Sequence, residues 1–165
     1  MPASSQQNST DPGAPIGPND PPLMVNESLM NTLLEHSPDL IYFKDADSRF
    51  LRVSEALARY VGFKSGRDLI SKSDSDLFSK EESGVYRADE QQIMLSGQPM
   101  IGKDERQVTA DGQTVWLSTT KAPLLSDDGN VIGIFGISRD ITELRKAKEA
   151  AESANTAKSV FLANM

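Results

Sequence analysis

The chain has 165 residues, 38% hydrophobic and 25% charged, which is enough for one domain with a real core plus flanking segments. Its formal charge of −7, with no cluster of Lys and Arg interleaved with aromatics, argues against binding nucleic-acid phosphates or anionic lipid. Cysteine is absent, which removes disulfides, thiol catalysis and Cys-ligated metal, and no apolar run approaches the ~18 residues that span a membrane. The N-terminus lacks the basic-then-apolar order of a secretory signal, so a cytoplasmic location with no direct membrane contact is expected.

Residues 1–22 hold six of the nine prolines and almost no large apolar side chain, and read as a disordered arm or linker. Residues 23–37 form a flanking amphipathic helix, with Val25, Leu29, Met30, Leu33 and Leu34 at helical spacing and Ser37-Pro38 as the stop. Residues 39–44 and 49–53 are rich in strand formers and flank a polar turn, which makes a β-hairpin. Ser54 caps a short helix that Gly62 ends, and residues 64–79 hold short helical turns. A longer helix spans about residues 80–95, closed by Ser96-Gly97 and Pro99.

Three strands follow: 100–109, 115–124 and 131–138, joined by turns at 110–113 and 126–130. The last is nearly all apolar or Gly, as a central strand should be. Asp140 and Glu143 have the spacing of a capping box that opens a long helix rich in Ala, Glu and Lys. In that helix Leu144, Ala147, Ala151, Ala154, Lys158, Phe161 and Met165 recur at alternating intervals of three and four, a seam suited to a second helix. Five strands joined by hairpins, with helices inserted after the second, predict an α+β fold: an antiparallel sheet with its helices on one face.

Chemistry-bearing residues are few. His36, a lone histidine at a helix end, reads as a C-terminal helix residue rather than a haem or metal ligand. Asp74, Asp76 and Asp89 read as solvated turn carboxylates, and residues 127–130 lack the ligand spacing of a calcium loop. Glu81 and Glu82 are adjacent on a helix and cannot face each other, so they read as first-turn acids. With no Ser/His/Asp set and no phosphate loop, the chain offers no catalytic residue and no metal site, and is not expected to be an enzyme.

The sequence resembles the PAS family over residues 33–142, about two-thirds of the chain. The likeness is carried by Ser37-Pro38-Asp39-Leu40-Ile41-Tyr42-Phe43-Lys44-Asp45, Ser73-Asp74-Ser75-Asp76-Leu77-Phe78 and Tyr86-Arg87-Ala88-Asp89. Gly97-Gln98-Pro99, Asp111-Gly112, Trp116 and Thr120-Lys121-Ala122-Pro123-Leu124 continue it. It closes on Gly133-Ile134-Phe135-Gly136-Ile137-Ser138-Arg139-Asp140-Ile141-Thr142. Ser54 departs from the Asn common in relatives but keeps the capping chemistry. The tail, residues 157–165, is similar to the segment just before the phospho-accepting histidine of sensor histidine kinases, hybrid ones above all.

The resemblance implies a PAS domain at 38–139, a signalling helix at 140–165, and a sensor fragment that stops short of that histidine. It also implies a cavity between sheet and helices, lined by Tyr42, Lys44, Glu105, Gln107, Leu117, Thr119, Lys121 and Ser138, able to take a small polar or anionic molecule. No cofactor is required: the lack of Cys excludes covalent flavin photochemistry, haem and flavin are disfavoured, and a non-covalent small molecule stays open. In the other reading Lys44, Lys121 and Glu105 satisfy one another and nearby aspartates as buried structural pairs. Trp116, on the opposite face, is expected to lie under the N-terminal helix. Arg139, Asp140, Ile141 and Thr142 are the expected signal-relay hinge to the coiled coil and a downstream kinase. Homodimer contacts are expected at Leu29, Met30, Leu33, Leu34, Leu144, Ala147, Ala151, Ala154 and Phe161. The rival function is a ligand-free dimerisation or protein-interaction module.

Overall fold

The computed structural model describes residues 22–109 and 112–165. The arm expected over residues 1–22 lies, apart from Pro22, outside the described residues, as do two positions of the 110–113 turn. Helix α1 (Pro22–His36) leads into strands β1 (Leu40–Asp45) and β2 (Phe50–Val53), followed by helix α2 (Glu55–Tyr60). Short 3-10 turns at Gly66–Leu69 and Asp74–Asp76 precede α3 (Lys80–Ser96). Strands β3 (Met100–Val108), β4 (Thr114–Leu125) and β5 (Val131–Asp140) close the sheet, and α4 (Thr142–Ala163) leaves it.

The five strands run in the order β2-β1-β5-β4-β3, antiparallel throughout, so the last strand in sequence is the middle one in space. Its small and apolar residues suit that place: Ile134 is fully buried and Gly133 and Gly136 let neighbours close in. A Cβ at Gly133 would fall on the Lys44 carbonyl, and one at Gly136 would fall on the Tyr42 ring.

Local signals fix the helices. Ser54, fully buried, accepts from the Leu57 and Ile41 N–H groups and donates to the Asp39 carbonyl, so one hydroxyl caps α2 and anchors β1. Ser79 and Glu82 form a capping box at α3, and Gly97 (φ 65°) ends it in the left-handed conformation. Phe50, Val53, Leu57, Ala58 and Leu69 form the apolar core, and each fully buried large side chain there contributes about 1.5–3 kcal/mol.

Two expectations change. The capping box of Asp140 and Glu143 does not form: β5 continues through Asp140, and Glu143 turns to Lys146 at 2.9 Å. Asp140 Oδ1 instead accepts the Thr142 N–H at 2.8 Å, because the ladder to β4 holds its backbone extended. Trp116 is covered by the first turn of α4 rather than by α1, which packs chiefly on α2.

Candidate functional site

Strand alternation sends Tyr42 and Lys44 of β1, Ser138 of β5, Leu117, Thr119 and Lys121 of β4, and Glu105 and Gln107 of β3 to one side of the sheet. All eight line one cavity of about 50 Å3, closed over by Leu57 and Tyr60 of α2 and by Tyr86 and Glu90 of α3. That space holds about four water molecules. Leu40, Phe50 and Phe78 complete an apolar wall.

Charge is concentrated at the α3 end. The Lys44 ammonium, 2% exposed, lies 2.5 Å from Asp74 Oδ2 and 2.6 Å from Glu90 Oε1, and it caps the rings of Phe50 and Tyr42 at 4.6 and 5.0 Å. The Ser48 hydroxyl donates to the other Glu90 oxygen and accepts from Arg87, and Ser48 adopts φ 62° to reach it. Burial pushes the Asp74 carboxyl up, against the lowering pull of Lys44. Burial, reinforced by Glu90 and Asp74, also raises the Tyr42 phenol well above its usual value, so it stays a protonated donor at neutral pH.

Lys121 is equally buried but loosely held: its acceptor is Asp89 Oδ2 at 3.4 Å, which Lys103 already holds at 2.7 Å. Glu105 meets Lys103 at 3.3 Å, so Lys44, Lys121 and Glu105 do not pair with one another. Across the mouth, Tyr60 donates to the Gln107 amide oxygen at 2.6 Å and the Gln107 amide nitrogen donates to Tyr86 at 2.8 Å. Thr119 and Ser138 share a hydroxyl hydrogen bond at 2.9 Å.

Asp74 and Asp89 are thus not the solvated turn carboxylates the sequence suggested; Asp76 is, capping its turn through Ser73, whose backbone N–H and hydroxyl lower its carboxyl. Glu90 was not singled out, although a signal existed. Ser83, Tyr86, Glu90 and Ile93 repeat at intervals of three and four, so a Glu stands on the inward stripe of α3. No group of three or more His, Asp or Glu placed to hold a metal occurs among the described residues, and His36 ends α1 exposed.

The end of β4 and β5 adjoining Leu117 and Ser138 carries α4. The Ile141 N–H donates to the Trp116 carbonyl at 2.8 Å, and the Trp116 N–H donates to Thr142 Oγ1 at 2.9 Å. Arg145 lies 3.9 Å from the Trp116 ring centre and reaches Asp104 at 3.2 Å. Arg139 grips Asp39 through two bonds of 3.0 and 2.7 Å, tying the end of β5 to the entry of β1. Beyond its first turn α4 stands clear: Leu144, Ala147, Ala151, Ala154 and Phe161 are exposed. On α1, Leu29 and Leu33 are exposed, Met30 is half-buried, and Leu34 belongs to the core. No helix among the described residues is long and apolar enough to cross a membrane.

The family model described as "PAS fold" matches residues 34–146. The methanogenesis regulatory histidine kinase FilI of Methanothrix harundinacea is 30% identical over 125 residues, 76% of this chain and 14% of that protein. The aerobic respiration control sensor protein ArcB of Escherichia coli is 26% identical over 138 residues, 84% of this chain and 18% of that protein. The chain therefore spans less than a fifth of these curated relatives. Among solved structures, VqmA bound to DPO superposes with a TM-score of 0.62 at 19% identity, covering 68% of this chain and 56% of that one, a likeness of fold. A central last strand, α2 and α3 over one face of the sheet and a family match across both lead to one conclusion: the chain belongs to the PAS family, a sensory rather than a catalytic module.

Proposed function

We propose that this domain is the cytoplasmic input module of a histidine kinase, perceiving a small molecule in its cavity and passing the event to α4. The observation that carries the reading is shared support. The same two strands that line the cavity with Leu117, Thr119, Lys121 and Ser138 hold α4 beside those residues, through Trp116 next to Leu117 and through Ile141 and Thr142 just past β5. A displacement of β4 or β5 at the cavity therefore acts on the base of α4. The kinase assignment rests on FilI and ArcB. The exposed apolar positions of α1 and α4, Leu29, Leu33, Leu144 and Phe161 among them, support a parallel homodimer in which the α4 seam changes rotation or register.

A second reading, a ligand-free dimerisation module, draws support from the modest volume of the cavity and from the internal pairing of Lys44. Native mass spectrometry of the purified chain, set against its denatured mass, separates the two. Added mass per protomer that is lost on denaturation supports the sensor. A dimer without added mass, unchanged after incubation with cell extract small molecules, sinks it. The relay has its own test in the full-length kinase: Asp140→Ala removes the acceptor for the Thr142 N–H, worth about 1 kcal/mol. Kinase regulation that is unaltered by this substitution rules out the hinge.

A further inference from the structure

The polar groups around the cavity are unevenly satisfied. Asp74 and Glu90 are both taken by Lys44, Gln107 by Tyr60 and Tyr86, and Thr119 by Ser138. Donors are left over, the Tyr86 hydroxyl hydrogen among them, and two others lie on one row of the sheet. The Tyr42 hydroxyl makes no hydrogen bond among the described residues and is not sealed from open space. The Lys121 ammonium, on a residue 2% exposed, has one acceptor among them, at 3.4 Å.

The register puts both donors in one place. Tyr42 pairs with Gly136 on β5, and Gly136 pairs with Lys121 on β4, so the three form one row across the sheet. The middle position has no side chain, and the tip of the Tyr42 ring lies over it. The Tyr42 ring tip fills the space over Gly136, and the cavity beside it is a slot with this phenol at one side and the Lys121 ammonium at the other. A buried ammonium held only by one acceptor at 3.4 Å and by the Tyr86 ring face at 5.3 Å is undersatisfied, and an acceptor entering the slot supplies the hydrogen bond that Asp89, held by Lys103, makes poorly.

We infer that the cavity takes a small uncharged molecule carrying a hydrogen-bond acceptor, such as an amide or ketone carbonyl, held between the Tyr42 hydroxyl and the Lys121 ammonium. This rests on the reading of the cavity as the sensing site. Charge selects against ions. The lining groups Lys44 and Lys121 face Asp74, Glu90 and Glu105, so an anion adds to an excess of carboxylate. A cation in the slot sits against Lys121 with the nearby carboxylates already engaged. The apolar wall of Leu40, Phe50, Phe78 and Leu117 receives the rest of the molecule, and the cavity of about 50 Å3 limits it to a few non-hydrogen atoms unless the Tyr60–Gln107–Tyr86 bridge opens.

The test uses size-matched probes of about six non-hydrogen atoms each, for which millimolar affinity is the expected range. They are 2-pyrrolidinone (uncharged acceptor), butyrate (anion), piperidinium (cation) and methylcyclopentane (no polar group). Each is titrated into the isotope-labelled full chain and followed by the backbone amide resonances of Tyr42, Lys121, Gly136 and Ser138. Tightest binding is expected for 2-pyrrolidinone. Lys121→Met weakens it about tenfold and Tyr42→Phe several-fold, while both variants still take methylcyclopentane, which shows the cavity intact. Tighter binding of butyrate or piperidinium, or 2-pyrrolidinone affinity indifferent to Lys121→Met, overturns the ligand class and leaves the cavity as a sensing site. If no probe moves any of these resonances, the sensing reading falls with it.

Discussion

Replacing Lys44 by Met keeps the length of the side chain and removes its charge, leaving two carboxylates face to face in the interior. Glu90 is 0% exposed and Asp74 7%, and each loses an ammonium within 2.6 Å. Breaking a buried pair from one side costs about 3–5 kcal/mol, because the charge left behind is neither solvated nor compensated. Domains of this size are stable by about 5–15 kcal/mol, so the variant should be marginal at neutral pH. Urea unfolding followed by the fluorescence of the single tryptophan, Trp116, measures the loss as a lower midpoint at constant slope. The loss should shrink as pH falls, since protonating the stranded carboxyls removes the repulsion. A triple variant, Lys44→Met with Asp74→Leu and Glu90→Leu, should be milder than the single one. A cost below about 1 kcal/mol at neutral pH, or one that does not vary with pH, would refute the view of Lys44 as the counter-ion of both acids.

Gly136→Ala should destabilise the fold by about 1–3 kcal/mol, since the new methyl overlaps the Tyr42 ring; Tyr42→Ala in the same background should recover part of the loss, read as a coupling energy in urea. Arg145→Ala uncovers the Trp116 ring and removes the contact to Asp104, so the emission should shift to longer wavelength with a stability loss of about 0.5–1 kcal/mol; an unchanged spectrum would mean that α4 is not docked there in solution. The folded chain holds the Asp74 proton more tightly than the unfolded chain does. Its contribution to stability is therefore complete below the ordinary carboxyl value of 3.8 and is lost as pH rises from there through the raised folded value. Asp74→Asn should flatten that part of the stability profile, and a profile that keeps its slope would assign the titration to another group.

The strands and helices were legible because their signals are local: Ser79 with Glu82 for a helix start, Gly97 for its end, alternation along β4 for the two faces. The cavity set followed from that alternation combined with family likeness, and its eight members do face one space. What escaped was pairing at a distance. Asp74 lies in a Ser/Asp-rich stretch that reads as a solvated loop, and nothing local says that Lys44, 30 positions earlier, will fold over it. Glu90 is 46 positions from its partner. Asp140 misled for the opposite reason. Its spacing to Glu143 satisfies the local rule for a cap, but its backbone belongs to the ladder with β4, and tertiary pairing outweighs a helix-start preference of about 1 kcal/mol. The cover over Trp116 likewise depended on where α4 lands, which no pattern in α1 or α4 encodes.

The bond between Asp39 and Arg139 has a geometric consequence for the chain as a path. Strands β1 and β5 are antiparallel neighbours, with Leu40 opposite Ser138, so the chain enters and leaves the sheet at the same end. The ion pair clasps these two points together. The whole body of the domain then hangs as a side loop beside a short line from entry to exit. For any polypeptide continuing past both points, such a body is an appendage that can be added or removed with little change in the route between its neighbours. Tension along that route falls first on the clasp, whose Arg139 adjoins Ser138 of the cavity.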